Sequence, residues 1–482
     1  MKSIFFGLVL SIILCSAGHA QQNLTLFLMH DLPQANIVNP AVTARCKVNF
    51  GMPGLASIHV NYANTAFTAS DLLVRNGDSL YFQPGDVIDG MNNKELFATE
   101  VHYTPISMGI WIKERYFTFS ISEKVTSYNT VPKELAQLGW YGNTMFLGKD
   151  AKFDGLRVNA NHYREYAIGM AKEKEPGLVF GYRAKLLFGK GNVYTPKTTG
   201  RLYTNPNNYS LMVELNSTIN TSFPIEVTTD DDGYVSDIQL QEDVDWMGYM
   251  MNRRNMGIGF DFGFIYQMDE RTTISGSILD VGFINWKTDT WSFESLGDFE
   301  YSGTGNEDGF NSSDYFSELG DDLEDEFMPI PISRNYTSSL VPQIYLGATR
   351  TLTDHINTGV VLRNEIYKNK LHPAFTLSAN TYNYKTLNGS LSYSAINGEY
   401  LNIGAGLGVK MGAFHIHAIT DDLFAFFDIT KTRGANLRFG FTFMPGCNPD
   451  KMKVSPKGIQ ALPCYHSPYK GEKTSGKKKR RR

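Results

Sequence analysis

The sequence predicts an all-β chain closed into a transmembrane antiparallel β-barrel of about 14 strands, with 14 to 16 as the range. Three observations predict it. Alternating segments of membrane-strand length recur along the chain and are joined in pairs by short polar turns. Longer polar stretches separate these hairpins. The last strand carries an apolar stripe unsuited to water.

The hairpins are read from periodicity. Residues 105–112 and 116–122 flank a short polar turn at Lys113, Glu114 and Arg115. In the returning segment Phe117, Phe119 and Ile121 share one face, and Tyr116, Thr118 and Ser120 the other. The same unit recurs at 163–171 with 178–188, 257–268 with 272–284, 342–349 with 357–362, 374–382 with 387–393, and 401–409 with 413–419. Polar stretches near 127–160, 191–208, 220–255, 286–337 and 420–434 are expected to be loops. Short turns at one rim and long loops at the other is the asymmetry of outer-membrane barrels. Small or polar residues fill the second face: Gly404, Gly406 and Gly408 in one segment, Thr376, Ser378 and Asn380 in another. A lumen accommodates such residues, whereas the exterior of a soluble sandwich would carry more Lys and Glu. The Gly404–Gly406–Gly408 run has no following helix, so close strand packing explains it better than a nucleotide loop.

The last strand places Leu437, Phe439, Phe441 and Phe443 on one face and Arg438, Gly440 and Thr442 on the other. In water the first face would be an exposed apolar edge; in lipid it is satisfied. These four residues are expected to close the barrel, with Arg438 in the lumen more tolerant of exchange than Phe441 or Phe443. A terminal strand ending in Phe resembles the signal read by barrel-assembly machinery, although residues 444–482 follow it here.

Composition is compatible with this reading. Aromatic residues make up 13% of the 482, with 26 Tyr and 31 Phe, and there are 44 Gly, as strands with aromatic girdles and tight turns require. A formal net charge of −4 argues against a nucleic-acid binder. The start reads as a signal peptide over 1–20: Lys2 is the basic end, residues 4–14 are nearly all apolar, and Gly18, His19 and Ala20 precede the expected cleavage site. Leu14 stands where a lipoprotein signal needs a small residue before Cys15. No later stretch has the ~18 apolar residues a spanning helix needs, so the exported chain is expected to be either soluble or inserted as a closed barrel, and the strand pattern favours the barrel.

Several stretches resemble outer-membrane proteins of bacteria with type IX secretion. The Asn39-Pro40-Ala41 motif near the mature start resembles that of fatty-acid-transporter-type barrels and their type IX relatives. The segments 280–286, 420–426 and 436–442 resemble a family of unknown function with the same barrel; that family often carries Asp-Asn where this chain has Asp421 and Asp422. The resemblance spans about residues 24 to 446 and implies that 21–46 form a hatch in the lumen, with Asn36, Asn39 and Pro40 as its ligand or hatch residues. Pro40 removes a donor and biases Asn39 toward an extended form, which also suits an ordinary turn before the first strand. Residues 47–446 are then the barrel and 447–482 a periplasmic tail, basic at its end.

No catalytic constellation is present: no Gly-x-Ser-x-Gly elbow, Walker loop or His-Glu-x-x-His. The expectation is a protein that is not an enzyme and carries no cofactor and no metal. His415 and His417 share one face and are read as neutral lumen residues rather than half a metal site. The stretch 297–327, densest in acid at 321–326, reads as a solvated loop or short helix, with gathering of divalent cations as the alternative. Residues 131–140 read as a short helix begun by Pro132 and ended at Gly139, whose Leu135, Leu138 and Trp140 either cap the mouth or pack on a neighbouring loop. Cys447 and Cys464 are expected to pair in the oxidising periplasm, with Cys46 as the competing partner.

The functional expectation is an outer-membrane barrel that binds or passes a hydrophobic small molecule. The alternative is a non-enzymatic accessory subunit of a type IX secretion or surface-assembly machine. Expected partners are outer-membrane lipid, the barrel-assembly machinery, a hydrophobic ligand and secretion-system subunits, and no nucleic acid.

Overall fold

A computed structural model describes residues 23–77, 79–301, 329–367, 370–381, 386–396 and 399–446. The stretch 1–20 read as a signal peptide, the acidic residues 321–326, Cys447, Cys464 and the basic tail lie outside the described residues.

Fourteen antiparallel strands close into a barrel. In chain order they are β1 (Val48–Gly51 continued by Ser57–Asn64), β2 (Lys94–Ile112), β3 (Arg115–Pro132), β4 (Asn159–Glu175) and β5 (Leu178–Thr204). Next come β6 (Met256–Gln267), β7 (Thr272–Trp286), β8 (Gln343–Thr353), β9 (Ile356–Tyr367) and β10 (Lys370–Thr381). The last are β11 (Leu387–Ile396), β12 (Glu399–Met411), β13 (Phe414–Thr420) and β14 (Gly434–Phe443). Closure is made by β14, whose Phe443 and Phe439 lie opposite Phe50 and Ile58 of β1.

The wall has one apolar and one polar face. Val60, Ile168, Phe260, Leu346, Leu391 and Leu407 project outward and are exposed. A water-soluble protein would not expose so continuous an apolar belt, whereas a bilayer covers it and the closed ladder leaves no edge unpaired. The chain is therefore an outer-membrane barrel. No described helix is long and apolar enough to cross a membrane. Along β14 the inward residues Asn436, Arg438, Gly440 and Thr442 are buried, while Leu437, Phe439 and Phe441 are part-exposed and Phe443 is exposed.

Two departures from plain alternation matter. Between Gly51 and Ser57 strand β1 loops outward, and Met52 and Leu55 stand exposed on the outer face. Pro105 on β2 faces this bulge; it has no N–H to donate, and its carbonyl accepts from Gly54 at 2.9 Å. The second is β5, which runs for 27 residues, or roughly 90 Å at strand rise. Its first part pairs with β6 and its second with Leu211–Ser222, which in turn pairs with Thr290–Tyr301. Parts of the stretches 191–208, 220–255 and 286–337, expected as loops, are thus strands extending the wall beyond the membrane. Their residues are β-prone but polar, such as Thr195, Thr198, Thr199 and Thr221. A wall wetted on both sides has no apolar stripe, so the signal that marks a membrane strand is missing there.

Residues 133–141 form the short helix, ended by Gly142 at φ +74°. Leu138 packs beside Phe146, Leu202 and Leu211, while Trp140 is exposed. The helix therefore lies on the extended wall and its neighbouring loop.

Candidate functional site: the filled lumen

The N-terminal segment lies inside the barrel. Leu24, Leu26, Phe27, Leu28, Met29 and Leu32 are almost fully buried and form one core with the inward wall residues Tyr116, Val179, Ile265, Tyr345 and Val361. Each fully buried Leu or Phe is worth about 1.5–3 kcal/mol relative to exposure, so the segment is strongly retained. Phe27 stacks on Tyr345 with ring centroids 5.0 Å apart.

The segment begins with a five-residue helix, α1 (Leu24–Leu28), too short to persist alone. Its cap comes from the far end of the chain. The Asp421 carboxylate, just beyond β13, accepts from the backbone N–H of Leu24 at 3.2 Å and of Thr25 at 2.7 Å. An anion at a helix N-terminus satisfies otherwise orphan donors and opposes the helix dipole. Asn436 on β14 donates to Asp421 at 3.4 Å and accepts from its N–H at 2.8 Å. Arg438 donates to the Asn23 side chain at 2.8 Å and to Ser57 at 3.0 Å. Its lumen position does not make it passive: exchange at Arg438 removes a contact to the segment.

The track under α1 explains the glycine run. A methyl group at Gly404, Gly406 or Gly408 would meet Thr25, Met29 or Leu32 within 2.6 Å. The glycines admit the segment against β12, and the neighbouring strands crowd them as well, with Ser392 Oγ 2.3 Å from a methyl group at Gly404.

Asn36, Asn39 and Pro40 lie against the opposite wall. Arg183 of β5 donates to the Asn36 side chain at 2.7 Å and to the Ile37 carbonyl at 3.2 Å. Asn39 accepts from the Ala41 N–H at 3.0 Å, closing a turn, and donates to the Phe264 carbonyl at 3.3 Å. Pro40 lies over Gly181 and Gly263, where any Cβ would collide with it. The turn reading and the lumen reading thus describe one and the same piece of chain.

Charged side chains form a further layer in the lumen. Asp261 accepts from Arg183 at 2.9 Å and lies 2.7 Å from Lys185. Lys185 also reaches Asp280 at 2.6 Å, and Lys124 reaches Glu165 at 2.7 Å. Asp280 sits at φ +56° beside a register shift between β6 and β7, and its N–H donates to Asp261 at 2.8 Å. Such buried pairs add little net stability, because desolvation offsets their attraction.

At the outer rim the chain is apolar again. In the loop 420–434 Phe424, Phe426, Phe427 and Ile429 are exposed, Phe427 at 80%. The hairpin Leu73–Asn76 with Ser79–Phe82 adds exposed Leu80 and Phe82, and its preceding turn contacts the loop. Asp422 anchors the loop base by accepting from Phe424 at 3.0 Å and Ala425 at 3.3 Å. Adjacent carboxylates therefore hold the lumen segment and the apolar loop.

His415 and His417, neutral lumen residues by their alternation, are buried on β13 with rings 6.4 Å apart. His59 and His102, which no motif marks, are brought face to face by register. The signal was available, since each stands at an inward position of its strand, but the pairing of strands 43 residues apart is not visible in periodicity.

An outer-membrane barrel filled by its own N-terminal segment is the class that this fold and site define. The chain belongs to a family of unknown function (DUF5723), which it matches over residues 40–421. No curated protein matches it significantly. Among solved structures it is similar to the toluene transporter TbuX of Ralstonia pickettii, at 10% identity and TM-score 0.38, covering 86% of this chain and 93% of that one. It is also similar to a Pseudomonas aeruginosa FadL homologue, at 11% identity and TM-score 0.40, covering 89% of this chain and all of the other.

Proposed function

We propose that this barrel binds hydrophobic small molecules at its outer rim and passes them inward when the N-terminal segment shifts. One observation carries the reading: Asp421 caps α1 while its neighbour Asp422 anchors the apolar loop. A ligand settling on Phe424, Phe426 and Phe427 binds an element whose first residue secures the plug. Exposed aromatic side chains at this rim have a reason to be there, since leaving each in water forfeits about 1.5–3 kcal/mol of burial. Asn36, Asn39 and Pro40 serve as the hinge side, held by Arg183, Phe264 and the two wall glycines.

The test is uptake of an environment-sensitive naphthylamine dye by a Gram-negative host expressing the chain. Uptake is expected to exceed that of cells lacking it, to fall several-fold in Phe426→Ser/Phe427→Ser, and to lose its dependence on the loop in Asp421→Ala. Equal uptake with and without the protein overturns the transport reading. The accessory-subunit reading uses the same exposed surface as a partner's seat. It is favoured if the double Ser variant leaves dye uptake unchanged yet reduces cargo displayed by a type IX or surface-assembly machine.

A further inference from the structure

We infer that His59, Glu100 and His102 form a site for a divalent transition-metal ion, zinc in the first instance, on the inner wall of the barrel. His59 and His102 are direct antiparallel partners on β1 and β2, with ring centroids 5.5 Å apart. Asn61 and Glu100 are the next inward pair along the same two strands. One ligand atom from each of His59, Glu100 and His102 lies within 4.8 Å of the other two. Donors around a tetrahedral zinc are about 3.3 Å apart, a contraction that small side-chain rotations provide.

The polar atoms here have few other partners. The His59 ring has only the Leu437 backbone beside it, and neither side-chain atom of Asn61 nor Oε2 of Glu100 has a hydrogen-bond partner, although all are buried. Buried polar atoms are nearly always satisfied, so this concentration points to a ligand. The set has the right chemistry: two imidazoles and one carboxylate bind zinc at three corners, and Asn61 or water supplies the fourth.

A supporting layer stands behind the carboxylate. The Tyr128 hydroxyl is bonded to Glu100 Oε1 and lies 3.0 Å from Glu365 Oε1. One phenol proton serves only one of these carboxylates. Arg363, at 3.3 Å, balances Glu365. Glu100 has only His102 Nε2, 3.5 Å from its free oxygen, and a bound dication supplies the missing charge. The flanking cations act the other way: Arg438 lies opposite His59 and Lys124 opposite His102 in register. Lys124 is already engaged by Glu165 at 2.7 Å, which leaves Arg438 as the main opposing charge. His102 keeps 17% of its side chain exposed, whereas His59 and Glu100 are buried behind it. Bound there, the ion would cross-link β1 to β2 beside the bulge at Met52–Leu55.

The full-length chain, untagged, folded in detergent and treated with a chelator, is titrated with Zn²⁺ by calorimetry and with Co²⁺ by visible absorption. The expected result is one ion per chain at micromolar or lower concentration, with the ligand-field bands of a tetrahedral nitrogen and oxygen site for Co²⁺. His59→Ala, His102→Ala and Glu100→Gln are each expected to weaken binding by about 10-fold or more, while His415→Ala/His417→Ala leaves it unchanged. The gel shift between unboiled and boiled samples reports that each variant is folded; Glu100→Gln, the mildest change, carries the test if a histidine variant fails to assemble. Absence of binding at 100-fold above the expected concentration, or unchanged affinity in folded His59→Ala/His102→Ala, overturns the site and leaves Glu100–His102 as a simple buried ion pair.

Discussion

At Gly181 an added methyl group has nowhere to go, since it would lie 2.1 Å from the Pro40 carbonyl carbon. The obstacle is backbone, so relief requires moving the N-terminal segment or the wall, at a cost of about 1–3 kcal/mol. Gly389 is the control, because its nearest neighbour would be a Thr381 methyl group at 3.7 Å. Gly181→Ala is expected to raise amide exchange over residues 36–41 and lower the unfolding temperature in detergent, and Gly389→Ala to change neither. Equal behaviour of the two variants would show that Pro40 is not seated as described. Single residues were only partly legible in the sequence. The alternation of β14 assigns Arg438 an inward place, but the Asn23 carbonyl oxygen of the side chain that it meets lies 415 positions away. Asn39 and Pro40 signal a turn by their own chemistry, whereas the two glycines beneath them signal nothing until the wall is closed.

Elements were more legible where lipid imposed a period. The strands β2, β3, β6, β7 and β12 follow apolar alternation, and the turn at Lys113 adopts φ +55° between them. The outer half of β5 and the strand Leu211–Ser222 escape because no lipid selects their outward residues. At the inner rim the start of the barrel meets its end: Cys46 Sγ lies 3.6 Å from Met444 Sδ, and Trp111 donates to the Ala44 carbonyl at 2.8 Å. Cys46 is disulfide-bonded. With four cysteines in all, that bond coexists with a Cys447–Cys464 pair only if its partner is Cys15, which the expected signal cleavage removes. Non-reducing peptide mapping of the mature protein is therefore expected to join the Cys46 peptide to a peptide from beyond β14. A bridge of this kind closes a loop of nearly the whole barrel, worth about 6 kcal/mol in the loop-entropy model. Reduction should lower the unfolding temperature, and Cys46→Ser should remove that sensitivity. A Cys447–Cys464 peptide with free Cys46 would overturn the assignment.

For the whole molecule the question is which layer closes the barrel. The wall does not depend on the plug for its own hydrogen bonds: each barrel strand pairs with two neighbours, and β14 closes directly on β1. The apolar layer does depend on it, because Leu24, Phe27, Leu28 and Leu32 fill the space between wall residues such as Tyr116, Ile265 and Val361. Deletion of residues 24–41 is thus expected to leave a folded, heat-modifiable barrel at the cell surface while exposing the lower lumen to water. The remaining barrier would be the ionic layer of Lys124, Glu165, Lys185, Asp261 and Asp280. Deletion also frees Arg183 from Asn36 and Ile37, leaving Asp261 as its ion-pair partner and loosening one side of that layer. Flux of small hydrophilic solutes into proteoliposomes is therefore expected to rise by about an order of magnitude or more over the intact chain. If flux stays at the intact level although the deleted barrel still shows the gel shift of a folded one, the charged layer alone is the seal, and movement of the N-terminal segment would not be enough to open a path.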